Sequence, residues 1–263
     1  MNSKIVIGAI FVVLVGSGIA YRVLHQSEAP PAAEEPTPLP AAEPAPTPEQ
    51  PPAPVIKHAV AASSTPLPAL ADSDMSVQEI LMRVLGNEPF KRWIRPEQYV
   101  RRFVATIDSM GGAHMSVDQR FVRPVAGEFK VDGNDSYLML GAENASRYDA
   151  MVEVFTKLDA KALMSEYTHY YPLVQQAYQD LGYPNGYFND RLIEVIDQLL
   201  ATPQVKAPVQ LVRPSVMYKF ADPKLEALSS GQKMLIRMGR ANQDKVTAQL
   251  RELRELLAAG KVS

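Results

Sequence analysis

Two pairs of ionisable side chains have a spacing that could support chemistry. Glu194 and Asp197 are three residues apart, so a helix would place both carboxylates on one face, where they could act as acid and base or bind a cation. Glu166 and His169 have the E-x-x-H spacing of di-iron bundles, but such a site needs a second copy of the motif and two further glutamates. The same residue types are common on the solvated edges of helices. The sequence therefore assigns no catalytic residue, metal ligand or cofactor.

The densest aromatic segment runs from Tyr167 to Phe188 and holds six of the eleven tyrosines. A tyrosine ring has a flat apolar face and a hydroxyl group that needs a partner when it is buried. Exposed rings could stack on sugars or anchor a protein interface, whereas buried rings would fill the core between helices. Both alternatives stay open. The aromatic candidates for a binding or interface surface are Tyr170, Tyr171, Tyr178, Tyr183 and Tyr187.

Three polar residues follow the aromatic segment at the expected start of a helix. Asn189, Asp190 and Arg191 come just after the turn signal at 184–186. At a helix N-terminus they would line a polar pocket, so we include them among the candidate binding residues. The structural alternative is that Asn189 is an N-cap and that Gly182 ends the preceding helix in a left-handed conformation.

Apolar periodicity predicts that helices dominate the chain after Asp72. In the last helix, an apolar seam at 4-3-4 spacing could pair with a second copy or pack on the domain's own core. Its residues are Val246, Leu250, Leu253 and Leu257. The predicted helices cover Val77–Leu85, Tyr99–Ile107, Met151–Leu158, Asp159 to about Gly182 with a kink or break at Pro172, Leu192–Leu200, Ser229 or Ser230 to Gly239, and Asn242–Ala259.

Strand signals are few and cluster around two turns. They cover 120–125, 129–131, 137–140, 209–212 and 216–220. The fold class is thus predicted to be mainly α, a helical bundle-like domain with a small antiparallel β-sheet over residues 73–259.

An uncharged apolar run from Ile5 to Tyr21 precedes this domain. Its 17 residues give about 26 Å of helix, and Arg22 can extend its side chain to the interface so that Val23 and Leu24 lengthen the span. Behind a short flank at residues 1–4, the sequence predicts a transmembrane signal anchor over 5–24. Cleavage of a signal peptide after Ala20 is the alternative.

Residues 25–72 are rich in proline and alanine, and 13 of the 22 prolines lie between Pro30 and Pro68. Such a composition buries too little apolar surface to offset the entropy of ordering the chain. Repeated proline favours an extended, semi-rigid conformation. We therefore predict a disordered linker that holds the domain away from the membrane.

Composition excludes several classes of site. The chain has no cysteine, which removes disulfides, thiolate nucleophiles and cysteine-based zinc sites together. The net charge of −2 gives no long-range electrostatic reason to expect nucleic acid as a partner.

Three long runs resemble the bacterial domain of unknown function family 3014. They are R-R-F-V-A-T-I-D at 101–108, G-Y-P-N-G-Y-F-N-D-R-L-I-E-V-I-D at 182–197 and R-P-S-V-M-Y-K-F-A-D-P-K-L-E-A-L-S-S-G-Q-K-M-L-I-R-M-G at 213–239. The similarity covers about residues 70–258. The resemblance implies a single-pass envelope protein with a variable proline-rich arm. It implies no activity, ligand or catalytic residue.

These observations lead to one expectation and one alternative. We expect a protein of the bacterial inner membrane that crosses it once, with a C-terminal domain in the periplasm that binds or scaffolds without catalysis. Its partners would be the membrane, through the N-terminal helix, and an envelope protein or a glycan; the oligomeric state stays open. The alternative is an envelope enzyme, a glycan or cell-wall hydrolase using acidic residues near Asn189–Asp197.

Overall fold

The computed structural model of the chain describes residues 55–61, 65–134 and 136–260. The predicted anchor over 5–24 and most of the predicted linker lie outside these residues. Within the described part of the chain, no helix is both long enough and apolar enough to cross a membrane.

Nine α-helices make up most of the described residues, so the prediction of a mainly helical domain is confirmed. Short 3-10 helices at Leu70–Asp72 and Ala142–Tyr148 precede the first and fourth of them. The helices are α1 (Asp74–Leu85), α2 (Asn87–Trp93), α3 (Tyr99–Met110), α4 (Asp149–Thr156), α5 (Ala160–Asp180), α6 (Phe188–Leu200), α7 (Pro223–Glu226), α8 (Ser230–Arg237) and α9 (Arg240–Ala259).

The predicted small antiparallel sheet is also confirmed. It has four strands in the order β1-β2-β3-β4, each antiparallel to its neighbour. Leu138 pairs with Leu211, and Leu211 pairs with Phe220. The strands are β1 (Val131–Asn134), β2 (Tyr137–Leu140), β3 (Gln210–Val212) and β4 (Lys219–Phe220).

Three of the predicted strands differ from the structure. The strand predicted at 129–131 overlaps β1 only at Val131. The segment 120–125 is not a strand and pairs only through one bridge between Val122 and Ile94. β4 begins at Lys219 rather than at Val216, whose side chain is 51% exposed.

Helix α5 is not split at Pro172, contrary to one of the two expected outcomes. It continues from Ala160 to Asp180, with Asp159 as the N-cap that accepts a hydrogen bond from the Ala162 N–H at 2.9 Å. Pro172 lies on the exposed side of the helix. The hydrogen bond that proline cannot donate is therefore lost where water can replace it.

Helix α9 closes the main core. It packs against α4, α5 and α6, and its predicted apolar seam is fully buried among them. Each such side chain contributes about 1.5–3 kcal/mol relative to leaving it exposed. The seam is therefore used within the domain, which is the second of the two alternatives that the sequence allowed. Its members are Val246, Leu250, Leu253 and Leu257.

A second, smaller apolar cluster joins the sheet to α8. It contains Val209, Leu211 and Phe220 from the sheet side and Ile236 from α8. The sheet thus lies on one side of the helical core and does not contribute to the start of α6.

Candidate functional site

The start of α6 is shaped by a tight turn. The Gly186 N–H donates to the Tyr183 carbonyl at 2.9 Å, which closes the predicted turn at 184–186. A Cβ on Gly186 would lie 2.7 Å from the Tyr178 ring, so only glycine lets the turn pack this closely on α5. Phe188 then enters the core as the first residue of α6.

Asn189 is not the N-cap that the sequence predicted, because α6 begins at Phe188 and its N-cap is Tyr187, two residues earlier. Its side chain is fully buried and makes long-range hydrogen bonds instead. The Tyr167 hydroxyl donates to Asn189 Oδ1 at 3.1 Å, and Asn189 Nδ2 donates to the Leu257 carbonyl at 3.4 Å. This one amide therefore joins α5, α6 and α9.

The candidate tyrosines divide between core and surface. Tyr170, Tyr171 and Tyr178 are buried, Tyr187 is half-buried, and Tyr183 is 41% exposed. Tyr170 also lies apart from the others, and its hydroxyl group is hydrogen-bonded to Ser76 of α1. The exposed aromatic surface at the site is therefore limited to Tyr183 and Tyr187.

Burial also determines the protonation of these tyrosines. It raises the pKa of Tyr171 and raises the pKa of Tyr178 to about 12. Both hydroxyl groups thus stay protonated at neutral pH. The Tyr171 hydroxyl accepts from the Asn189 N–H at 3.3 Å, so its role in the site is to fix the first turn of α6.

A piece of the predicted linker lies against the start of α6. The Lys57 N–H donates to Asp190 Oδ2 at 3.0 Å, and the His58 N–H donates to Asp190 Oδ1 at 2.9 Å. The Val60 N–H donates to the Tyr187 hydroxyl at 2.7 Å. We refer to Tyr187, Asn189 and Asp190 as the α6 clamp and to Lys57–Val60 as the docked segment.

The α6 clamp also binds a carbonyl and a side chain of the docked segment. Asn189 Nδ2 donates to the His58 carbonyl at 2.9 Å, and His58 Nδ1 lies 2.9 Å from Asp190 Oδ1. Four main-chain groups of the segment are thus paired with three clamp side chains. The segment is bent at Lys57 and His58, which lets two consecutive N–H groups reach the one carboxylate of Asp190.

The docked segment also contacts the end of α9. Gly260, the residue that follows this helix, has φ +63°, and a Cβ there would lie 2.5 Å from the Ala59 carbonyl oxygen. Glycine is required here both for the left-handed conformation and for the close approach.

The other charged residues of the site are held in ion pairs. Arg191 Nε lies 2.8 Å from Asp108 Oδ1, and Arg191 Nη1 lies 3.0 Å from Glu194. Burial alone would lower the pKa of Arg191, but its hydrogen bonds to Glu194 and Asp108 raise it. Asp197 forms a two-oxygen pair with Arg254 of α9, at 2.8 and 3.1 Å. The two carboxylates considered for acid–base work are therefore each bound to an arginine.

A groove of about 660 Å³ continues from the α6 clamp along the outside of α6. Lys57 and His58 form one end of it. The part beyond them is lined by Ile193, Gln198, Ala201 and Arg254.

Glu166 and His169 lie in the middle of α5 and are not part of this groove. Burial raises the pKa of Glu166. Among the described residues, no group of three or more histidine, aspartate or glutamate side chains is placed to hold a metal ion.

The residues that sequence reasoning missed are those of the docked segment. One signal could have indicated them: V-I-K-H-A-V-A at 55–61 is free of proline within a linker that is otherwise rich in it. A backbone that must donate several N–H groups cannot contain proline at those positions.

The structure is that of a mainly helical domain with a small antiparallel sheet and a peptide-lined groove beside one helix. The sequence matches the family described as "Protein of unknown function (DUF3014)" over residues 99–254, and the chain belongs to this family. Neither a search of curated proteins nor a search of solved structures found a match. The matched range contains the α6 clamp but not the docked segment.

Proposed function

We propose that this protein is a membrane-tethered domain of the bacterial envelope that binds a partner and does not catalyse a reaction. The observation that carries the proposal is the α6 clamp. Its three side chains bind four main-chain groups of a peptide, in this case a peptide from the same chain.

The state of the acidic residues favours binding over hydrolysis. A general acid or base needs a carboxyl group that can exchange a proton with a substrate. Both oxygens of Asp190 accept backbone N–H groups, Glu194 pairs with Arg191, and Asp197 pairs with Arg254. These carboxylates serve as hydrogen-bond acceptors and ion-pair partners.

The proposal of a membrane tether is based on the amino-acid sequence. The apolar run from Ile5 to Tyr21 fits a single membrane span, and the proline-rich linker that follows would place the domain at a distance from the bilayer. Lys4, on the N-terminal side of the run, favours a cytoplasmic side there, which would place the domain in the periplasm.

A photo-crosslinking experiment in intact cells tests this function. A photoreactive amino acid replaces Glu194, which is exposed one turn beyond the α6 clamp, and in the control it replaces the exposed Met217 beside the sheet. We expect an adduct with a partner from position 194 but not from position 217, and we expect the protein in the membrane fraction. Equal labelling from both positions would contradict a binding site on α6. A soluble protein whose N-terminus maps beyond Ala20 would contradict the tether.

A further inference from the structure

We propose that the docked segment is an intramolecular ligand, which a peptide of a partner protein displaces from the α6 clamp. This inference rests on the proposed binding function and names the chemistry of the partner: a proline-free backbone that adopts the same bend as Lys57 and His58 and is longer than the docked segment on its N-terminal side.

The first argument is that the docked segment is held mainly by its backbone, to which its side chains add the contact of His58 with Asp190 and the packing of the partly buried Val60 on the core. Its clamp contacts are hydrogen bonds from Lys57, His58 and Val60, whereas the preceding Val55 and Ile56 are 84% and 50% exposed. Elements with few buried apolar contacts open at low free energy. The segment can therefore leave without unfolding the helical core.

The second argument is that the docked segment fills only one end of the groove. The chain turns away from the groove before Lys57, since the exposed Ile56 is not among the residues that line it. The open part is lined by Gln198, Ala201 and the ion pairs of Arg191 and Arg254, whereas Ile193 is only 3% exposed. A longer peptide could bind the same clamp and place its earlier side chains here.

The third argument concerns which part of the chain carries each half of the contact. The α6 clamp lies inside the range that matches the family, and the docked segment lies outside it. The α6 clamp is thus part of the family domain, whereas the docked segment that occupies it belongs to the linker.

The fourth argument is the chemistry that the α6 clamp selects. Asp190 accepts two consecutive N–H groups, and Tyr187 accepts another two residues further on. A peptide with proline at any of these positions lacks the donor. The proline-rich remainder of the linker is a poor competitor for this reason, and a partner needs a run that is free of proline.

The test measures binding of a fluorescent peptide with the sequence of residues 55–61 to the purified full-length protein in detergent, by fluorescence anisotropy. His58→Pro removes the N–H that Asp190 accepts from the occupant, while the clamp itself is unchanged. A short tether gives an effective concentration in the millimolar range, so we expect His58→Pro to tighten binding of the free peptide by about five- to tenfold. Deletion of residues 55–61 should tighten it as much.

Two further variants locate the effect at the α6 clamp. Asp190→Asn removes the negative charge and leaves one neutral acceptor oxygen beside an NH2 group that cannot accept, so it should weaken binding to the His58→Pro protein by about tenfold or more. Glu153→Gln, a matched carboxylate-to-amide change at an exposed residue of α4 that does not line the groove, should leave binding unchanged.

Equal binding of the peptide to wild-type and His58→Pro protein would overturn the proposal, because the segment would not be competing. No binding to either protein would also overturn it, while adducts from position 194 in cells would still support the proposed function. Light scattering supplies one more outcome. A wild-type dimer that His58→Pro converts to a monomer would assign the segment to a second copy and overturn the proposed partner.

Discussion

Helix α9 and the docked segment lie against the same end of α6, but they are held there in different ways. The seam of α9 is fully buried, whereas the docked segment leaves much of its side-chain surface in water. Both elements meet at Asn189, whose amide donates to Leu257 of α9 and to His58 of the segment. Helix α9 is therefore part of the folded core, whereas the docked segment is bound to that core as a ligand would be.

The two contacts also differ in what their loss would cost. Burial of an apolar side chain contributes about 1.5–3 kcal/mol, whereas a typical hydrogen bond contributes about 0.5–1.5 kcal/mol net, because water replaces it in the open state. Removing α9 should therefore affect the whole domain, and releasing the segment should affect only the groove.

The largest expected effect is that of truncation after Asn242. It removes the seam at Val246–Leu257 and exposes the faces of α4, α5 and α6 that pack on it. We expect loss of the cooperative thermal transition measured by circular dichroism. Truncation after Gly260 is the control and should melt like the full-length protein. A folded, stable monomer ending at Asn242 would show that α9 is not part of the core.

Shortening one side chain of the seam should lower the stability of the domain by a smaller amount. Leu250→Ala removes a fully buried side chain, and we expect the free energy of unfolding to fall by about 3 kcal/mol in urea denaturation. The neighbouring Arg251→Ala removes an exposed side chain and should change it by less than about 0.5 kcal/mol. Similar losses for both variants would mean that the seam is not packed as described.

Asn189→Ala tests the residue that the two elements share. It leaves the Tyr167 hydroxyl without its acceptor in a buried position, so we expect a loss of about 2 kcal/mol in the same assay. Asn185→Ala, in the exposed turn before α6, is the matched control and should be nearly neutral. A neutral Asn189→Ala would indicate that water can replace these contacts.

Asp190→Asn should release the docked segment without unfolding the domain. We expect faster hydrogen exchange at the amides of Lys57 and His58, with a change of at most about 1 kcal/mol in the free energy of unfolding. Glu194→Gln should leave the exchange rates of these amides unchanged. Protection that survives Asp190→Asn would show that the clamp is not what holds the segment.

The smallest effect concerns Glu166 of α5, which lies outside the contact with the segment. Burial raises its pKa in the folded state, so the folded protein binds this proton more tightly than the unfolded chain does. The ionised group therefore costs stability at pH values above its folded pKa. Glu166→Gln should stabilise the domain by about 0.5 kcal/mol at pH 7, and the gain should vanish below the unfolded pKa of about 4.3. A gain that does not depend on pH would exclude this origin.

Sequence periodicity predicted the elements that are held by apolar burial. The α9 seam, the start of α5 at Asp159 and the start of α8 at Ser229 or Ser230 all follow from local patterns, and the structure makes Asp159 and Ser229 the two N-caps. Helix α2 was missed because seven residues are too few for a periodic signal. Each of these outcomes depends on residues close together in the chain.

The docked segment could not be predicted in the same way. Its hydrogen bonds join residues more than 120 positions apart and use backbone groups that every residue type except proline carries. Asn189 was predicted as a cap for a related reason. A side-chain amide at a helix start usually hydrogen-bonds to the backbone of the same helix, and nothing nearby in the sequence indicates that Tyr167 and Leu257 approach it. The candidate site was thus found by residue type, but its occupant was not.

The attachment of Lys57–Val60 also decides where tension on the chain enters the domain. A pull applied upstream of Val55 reaches Asp190 and Asn189 before it reaches α1, since the attachment precedes Leu70 along the chain. A few hydrogen bonds then carry the load, and they yield before buried leucines do. Their release passes the load on to Leu67 and Leu70, which pack in the main core, while the helical core stays intact.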